Sequence, residues 1–256
     1  MEWTDEAIVL AARPHGEGAA IVSLLTRGQG RHAGLVHGGA GRSKRAVVEV
    51  GNRVHAVWRA RLAEHLGSLT LEATHFHAAA LLDDAARLAA MASACAVADA
   101  ALPEREPHPA LYSGTCALLD LLEKAPDEIW PAAYVRWELG LLAELGFGLD
   151  LAKCAATGST DDLAWVSPRT GRAVSRAAGA PYREKLLALP VFLGGRPEAD
   201  DGPDGDIAAG LALTGHFLAA QVFAPFNRPP PPARDRLVAR LVRSGRAADT
   251  PEETGG

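Results

Sequence analysis

Apolar and polar positions alternate with a period of two along the first part of the chain and then switch to a helical period after His77. Five short runs, residues 7–12, 19–25, 32–37, 47–61 and 69–73, read as strands with turn residues between them. In the fourth run Val54, Ala56, Trp58, Ala60 and Leu62 fall on one face, and His55, Val57, Arg59 and Arg61 on the other. Five strands in so short a span predict a small closed or nearly closed barrel. Gly28, Gly30, Gly34, Gly38, Gly39 and Gly41 punctuate its middle, and residues 38–45 read as a mobile hairpin loop tipped with Arg42, Lys44 and Arg45.

Beyond His77 the texture is alanine- and leucine-rich. A helix is predicted over 77–101, with Leu81, Leu82, Ala85, Leu88 and Ala89 as its apolar stripe. Further helices are predicted over 109–124, 127–145, 183–189, 206–223 and 232–243, and those over 77–101, 109–124 and 127–145 are expected to pack together. Residues 149–182 are turn-rich, 190–205 read as a loop, and the tail from Gly245 is expected to fray. The fold class is therefore α+β, with a barrel over residues 1–76 and a helical domain over 77–256.

The composition, 48% hydrophobic and 22% charged, is that of an ordinary globular protein. No run reaches the roughly 18 consecutive apolar residues of a membrane helix, and Met1 leads into Glu2, Asp5 and Glu6, so a cytoplasmic protein is expected. Cys95, Cys116 and Cys154 are too few and too widely spaced for a disulfide framework. The net charge of -5 argues against nucleic acid until its distribution is considered. Between residues 27 and 61 stand Arg27, Arg31, Arg42, Lys44, Arg45, Arg53, Arg59 and Arg61, opposed only by Glu49. Such a strip neutralises phosphates and releases counterions, so these eight are the candidate DNA contacts. Trp58, on a face with Val54 and Ala56, reads as core rather than as a stacking platform. Arg234, Arg236, Arg240 and Arg243 form a weaker second surface, partly offset by Asp235.

Motifs for bond-making chemistry are weak. The order Gly41, Arg42, Ser43, Lys44 fails the phosphate-loop pattern, which needs Lys directly after Gly. His75 and His77 lie two apart, and with Asp84 they would suit a metal-dependent hydrolase; a polar junction between barrel and first helix is the expected reading. Cys154 and Thr157, then Ser175 and Ala178, repeat the spacing of a four-cysteine zinc ribbon with a single thiolate left. No catalytic residue, metal ligand set or cofactor is expected.

The stretch EAIVLAARPHGEGAAIVSLLTRGQGRHAGLVHGGAGRSKR resembles the amino-terminal barrel of the RecO family of DNA repair and recombination mediators. The loop CAATGSTDDLAWVSPRTGRAVSRAAGAPY is similar to that family's zinc-ribbon region in degenerate form, within residues 150–182, and LTGHFLAAQVFAPFNRPPPPARDRLVARL to its last helices. The resemblance implies an OB-fold barrel that binds single- and double-stranded DNA, and a helical domain. It also implies strand annealing and loading of RecA, in the RecF pathway, onto DNA coated by single-stranded DNA-binding protein. RecR and that coating protein are the implied partners, RecA an indirect one, and the nucleoid the implied location. An interaction scaffold that touches DNA only through RecR is the alternative. For the acidic tail of the coating protein, Arg136, Trp137 and Arg183 are candidates that no periodicity brings together.

Overall fold

The alternating segment folds as five strands: β1 (Glu2–His15), β2 (Ala19–Thr26), β3 (Arg31–Val36), β4 (Arg53–Arg59) and β5 (Ser68–His75). They are seen in a computed structural model that describes residues 1–39, 41–196 and 202–248, the side chains of 42, 43, 202–204 and 244–248 excepted. The strands close in the order β1-β2-β3-β5-β4, with β4 returning to β1. Every neighbouring pair is antiparallel except β3 and β5, which run parallel through Leu35 and Ser68. This is the OB-fold arrangement.

Closure depends on the length of β1. Its first half pairs with β4, from Glu2 opposite Arg59 to Ile8 opposite Arg53. Its second half pairs with β2, from Ala7 opposite Thr26 to His15 opposite Ala19, with a bulge between Val9 and Ala11. The polar residues Thr4, Asp5 and Glu6 hide this strand's start from an apolar pattern. Inside, Ala7, Val9, Val22, Leu24, Val36, Val54, Ala56, Trp58 and Leu69 form the core. Trp58 is buried there, its indole N–H donating to the Leu66 carbonyl at 2.9 Å. The face read from the fourth run holds through Trp58 and fails at Leu62, which is exposed because the strand stops at Arg59. Residues 47–52 are turn instead of strand, and the 38–45 loop contains a short helix, α1 (Arg42–Arg45).

The helix predicted over 77–101 is two, α2 (His77–Ala80) and α3 (Ala85–Ala101). Asp84 makes the break, since its carboxylate accepts from the N–H groups of Ala86 and Arg87 and caps α3. Helix α4 (Pro109–Lys124) matches its prediction, with proline in the first turn where no N–H is missed. Helix α3 packs on β1, β2 and α4, and Ser23 of β2 donates to Asp99 at 2.5 Å. Residues 1–126 and 231–234 make one compact unit, in which the barrel carries α2, α3 and α4 with it.

The second unit comprises residues 127–230 and those from 235 onward. Helix α5 (Trp130–Glu144) is followed by β6 (Leu163–Val166), β7 (Ala173–Ser175), α6 (Arg176–Gly179) and β8 (Leu187–Ala188). The strands form a three-stranded sheet in the order β7-β6-β8, so the turn-rich segment is more ordered than its sequence suggests. The helix expected over 183–189 is a 3-10 segment, Ala180–Lys185, that runs into β8. Helix α7 (Gly202–Phe217) continues through a π-helical segment, Leu218–Phe223, and α8 (Pro232–Ala248) ends the described chain. The loop expected over 190–205 includes a 3-10 turn, Val191–Leu193, and the first residues of α7; 197–201 and the tail beyond 248 lie outside the described residues.

Helix α5 packs with α7. A buried carboxylate, Glu138, ties them, accepting from Tyr134 Oη at 3.1 Å and from Thr214 Oγ1 at 2.5 Å. Gly205–Phe226, 22 residues long and with a mean hydropathy of 1.6 over an 18-residue window, is long and apolar enough to cross a membrane, which the linear reading missed. Its Leu211, Leu213, Phe217, Leu218 and Phe223 are nonetheless buried in the protein, as in a core helix.

One buried group makes the barrel pH-sensitive. His32 is sandwiched edge-on between Trp3 and Trp58, with ring centroids 5.0 and 4.8 Å away, and neither ring nitrogen has a hydrogen-bond partner among the described residues. Burial, followed by the Arg105 cation, pushes its pKa down to about 4. The unfolded chain, with a histidine pKa of about 6.5, then takes up a proton before the folded one does. Stability present at neutral pH is therefore lost as pH falls from about 6.5 to about 4, by ~3 kcal/mol in all. Urea unfolding at pH 7 and pH 4.5 should show this loss, and His32→Leu should shrink it. An undiminished loss in the variant would assign it to other groups.

Candidate nucleic-acid interface

On β4 the outward face is odd-numbered, so Arg53 and Arg59 leave the strand on the same side, but their surroundings differ. Arg59 is exposed at the open end and meets Glu2 across the β1–β4 ladder at 2.8 Å. That hydrogen bond holds the Glu2 carboxyl below its ordinary range. A pair this exposed is weak, and a phosphate can replace the carboxylate. Arg61 follows in the β4–β5 connection, also exposed. Arg53 turns inward instead, donating to the Cys116 carbonyl at 2.7 Å and to Asp120 at 2.9 Å on α4.

Arg31 is likewise turned inward, contrary to a solvent-facing strip. It is 18% exposed, its Nε donates to the Leu102 carbonyl at 2.8 Å, and Asp99 and Glu104 lie 3.6 and 3.5 Å away. It ties the start of β3 to the end of α3. Arg27 is exposed in the β2–β3 turn, in acidic company: its N–H donates to the Glu6 carbonyl, and the Gly28 N–H to the Asp5 carboxylate at 2.7 Å. Lys44 and Arg45 are exposed on α1, with Lys44 Nζ donating to the His37 carbonyl at 2.9 Å. Arg45 lines a cavity of about 390 Å³ with Pro14, Ala20, Gly39, Val48 and Glu49. Arg42 opens α1, and its side chain lies outside the described residues.

Seven of the eight cations thus resolve into two exposed pairs, Lys44 with Arg45 and Arg59 with Arg61, an isolated Arg27 and two internal cross-links, Arg31 and Arg53. Linear reading passed over Arg13, which is exposed on β1 beside the cavity-lining Pro14. Carrying the alternation through His15 would have found it. In the second cationic group Arg234 is buried while Arg236, Arg240 and Arg243 are exposed. Trp137 is buried too, and Arg136 donates to the Phe192 carbonyl at 2.7 Å and covers its ring.

Two spacing motifs acquire geometry. His75 ends β5 and His77 opens α2, with ring centroids 4.3 Å apart, and the third group beside them is Glu123 of α4 rather than Asp84. In the ribbon-like region the buried Cys154 Sγ accepts from the Ser175 N–H at 3.3 Å and is hydrogen-bonded by Thr157. Three of the four ribbon positions therefore meet, joined by hydrogen bonds.

Known proteins account for this combination of barrel and helices. Residues 1–76 match the family model described as Recombination protein O N terminal, and residues 82–230 the one described as Recombination protein O C terminal. The DNA repair protein RecO of Rhodospirillum centenum is 61% identical over 246 residues, 95% of this chain and 96% of that protein. The DNA repair protein RecO of Phenylobacterium zucineum is 57% identical over 247 residues, 96% of this chain and 100% of that protein, and the one of Caulobacter vibrioides strain NA1000 is 54% identical over 248 residues, 95% and 99%. With two models laid end to end and more than half the residues shared along nearly the full length, the chain belongs to the RecO family.

Proposed function

We propose that this chain serves DNA repair and recombination by holding DNA strands through their backbones, without making or breaking bonds itself. The observation that carries the reading is the pair of exposed cation groups, Lys44 with Arg45 and Arg59 with Arg61, on an OB-fold barrel. Loops and strand faces of such barrels are common seats for oligonucleotides, and Arg61 stands in the β4–β5 connection that is often used. Cations on phosphates reduce the repulsion between two strands and leave base edges free to pair, which is what annealing requires. The wider role follows from the family: a mediator of the RecF pathway, working in the cytoplasm at the nucleoid. It would pair strands coated by single-stranded DNA-binding protein and help RecA onto them together with RecR.

The test is a fluorescence annealing assay with complementary oligonucleotides precoated by single-stranded DNA-binding protein. Acceleration with rising protein concentration is expected, and failure to accelerate at any concentration would overturn the mediator role. The inward arginines Arg31 and Arg53 favour a second reading, a scaffold that reaches DNA only through RecR. A gel shift that appears only once RecR is added would select it.

A further inference from the structure

We propose that His75, His77 and Glu123 form a binding site for one borderline divalent transition-metal ion, of which Zn²⁺ is the best fit. The three side chains come from separate places, the end of β5, the start of α2 and the last turn of α4, and their donor atoms all lie within 4.8 Å of one another. His75 Nε2 sits 2.8 Å from Glu123 Oε1, and His77 Nδ1 contacts the same oxygen. One carboxylate therefore serves two imidazoles.

That arrangement leaves a deficit. The His77 side chain is fully buried, and neither ring nitrogen has a hydrogen-bond partner among the described residues, the Nδ1 contact with Glu123 lacking hydrogen-bond geometry. Buried polar atoms are nearly always satisfied, and an ion accepting imidazole lone pairs and a carboxylate oxygen is one way to satisfy such a group. Two nitrogens and one oxygen suit zinc and its neighbours, whereas magnesium and calcium favour all-oxygen shells. His75 is 45% exposed, so an ion has a route in and room for a water as a further ligand. Ligands about 2.1 Å from a tetrahedral ion stand roughly 3.4 Å apart, so His75 and His77 would both draw back from Glu123 Oε1 as an ion enters.

The surrounding charge permits a dication. Arg53 is the nearest cation to affect His77, and Asp120 pairs with it at 2.9 Å; Lys124 also leans on Asp120, at 3.9 Å. An ion here would clip the junction of barrel and α2 to α4 and so stabilise the first unit.

Isothermal titration of the full chain with ZnCl₂, after stripping by a chelator and buffer exchange, should show one equivalent bound. The thermal midpoint should rise by about 5 °C at a hundredfold excess of zinc over Kd. His75→Ala and Glu123→Gln should each weaken binding by roughly a hundredfold. His75 is the cleaner variant because it is exposed, whereas replacing the buried His77 also perturbs folding. Cys154→Ser should leave binding unchanged, which separates this site from the ribbon-like loop. No binding at one equivalent, or binding that survives both His75→Ala and Glu123→Gln, or binding lost in Cys154→Ser, would overturn the proposal.

Discussion

A variant carrying Lys44→Ala, Arg45→Ala, Arg59→Ala and Arg61→Ala together is expected to bind a single-stranded oligonucleotide at least about fiftyfold more weakly than the wild type at 50 mM salt. The estimate follows from counterion release. Each phosphate contact on a single strand contributes about 0.7 to the slope of log affinity against log salt, so four contacts contribute about 3. Between 50 and 200 mM salt that difference alone narrows the gap between wild type and variant by about fiftyfold. All four side chains are exposed, and the ion pair of Arg59 with Glu2 is at the surface, so the fold should survive. Fluorescence anisotropy over a salt series, with circular dichroism to confirm folding, measures both quantities. Arg31→Gln supplies the contrast: its guanidinium is committed to Leu102, Asp99 and Glu104, so its loss should lower stability and leave the slope alone. If the fourfold variant kept the wild-type slope, the two pairs would not be the phosphate contacts.

Gly30→Ala is expected to destabilise the first unit by about 3 kcal/mol or more, lowering the thermal midpoint by roughly 10 °C. Gly30 has φ +71, a conformation that an L side chain adopts only with strain. A Cβ there would also lie 2.2 Å from the Glu106 carbonyl oxygen and 2.5 Å from its carbon, and both are backbone atoms that cannot swing aside. The turn is held from the other side as well, because Thr26 donates to the Gly30 carbonyl through its N–H at 3.0 Å and its hydroxyl at 2.9 Å. Arg105 N–H donates in turn to the Arg31 carbonyl at 2.8 Å, so the β2–β3 turn and the chain after α3 are pressed together. Gly16→Ala isolates the steric part, since Gly16 has φ +60 but nothing within 4 Å of a built Cβ. Its cost should be only about 1 kcal/mol, the price of the dihedral alone. Urea denaturation of both variants decides the matter; equal losses would mean that the turn can move away from Glu106.

The elements legible in the sequence are those whose evidence is local. Helix α4 was readable from its opening proline and its apolar period, and the inward face of β4 from Val54, Ala56 and Trp58. The start of β1 was not, because residues 2–6 are polar and owe their extended form to pairing with β4, more than fifty residues downstream. Asp84 shows the reverse failure: it was read as a possible metal ligand, yet its carboxylate satisfies the first N–H groups of α3, a role that its place before an alanine-rich run already announces.

By itself the sequence determined the five barrel strands and the longer helices in their order along the chain, the barrel-then-helix plan and the gathering of cations between residues 27 and 61. Each of these depends on neighbours along the chain, through side-chain period, turn chemistry and local charge. Only the tertiary structure decided which cations face solvent, where the compact units divide, and which carboxylate joins His75 and His77. Those outcomes hang on partners far away in sequence, 71 positions for Arg31 with Leu102 and 48 for His75 with Glu123. A linear pattern records which face a side chain leaves from, but what waits on that side is set by how whole elements pack.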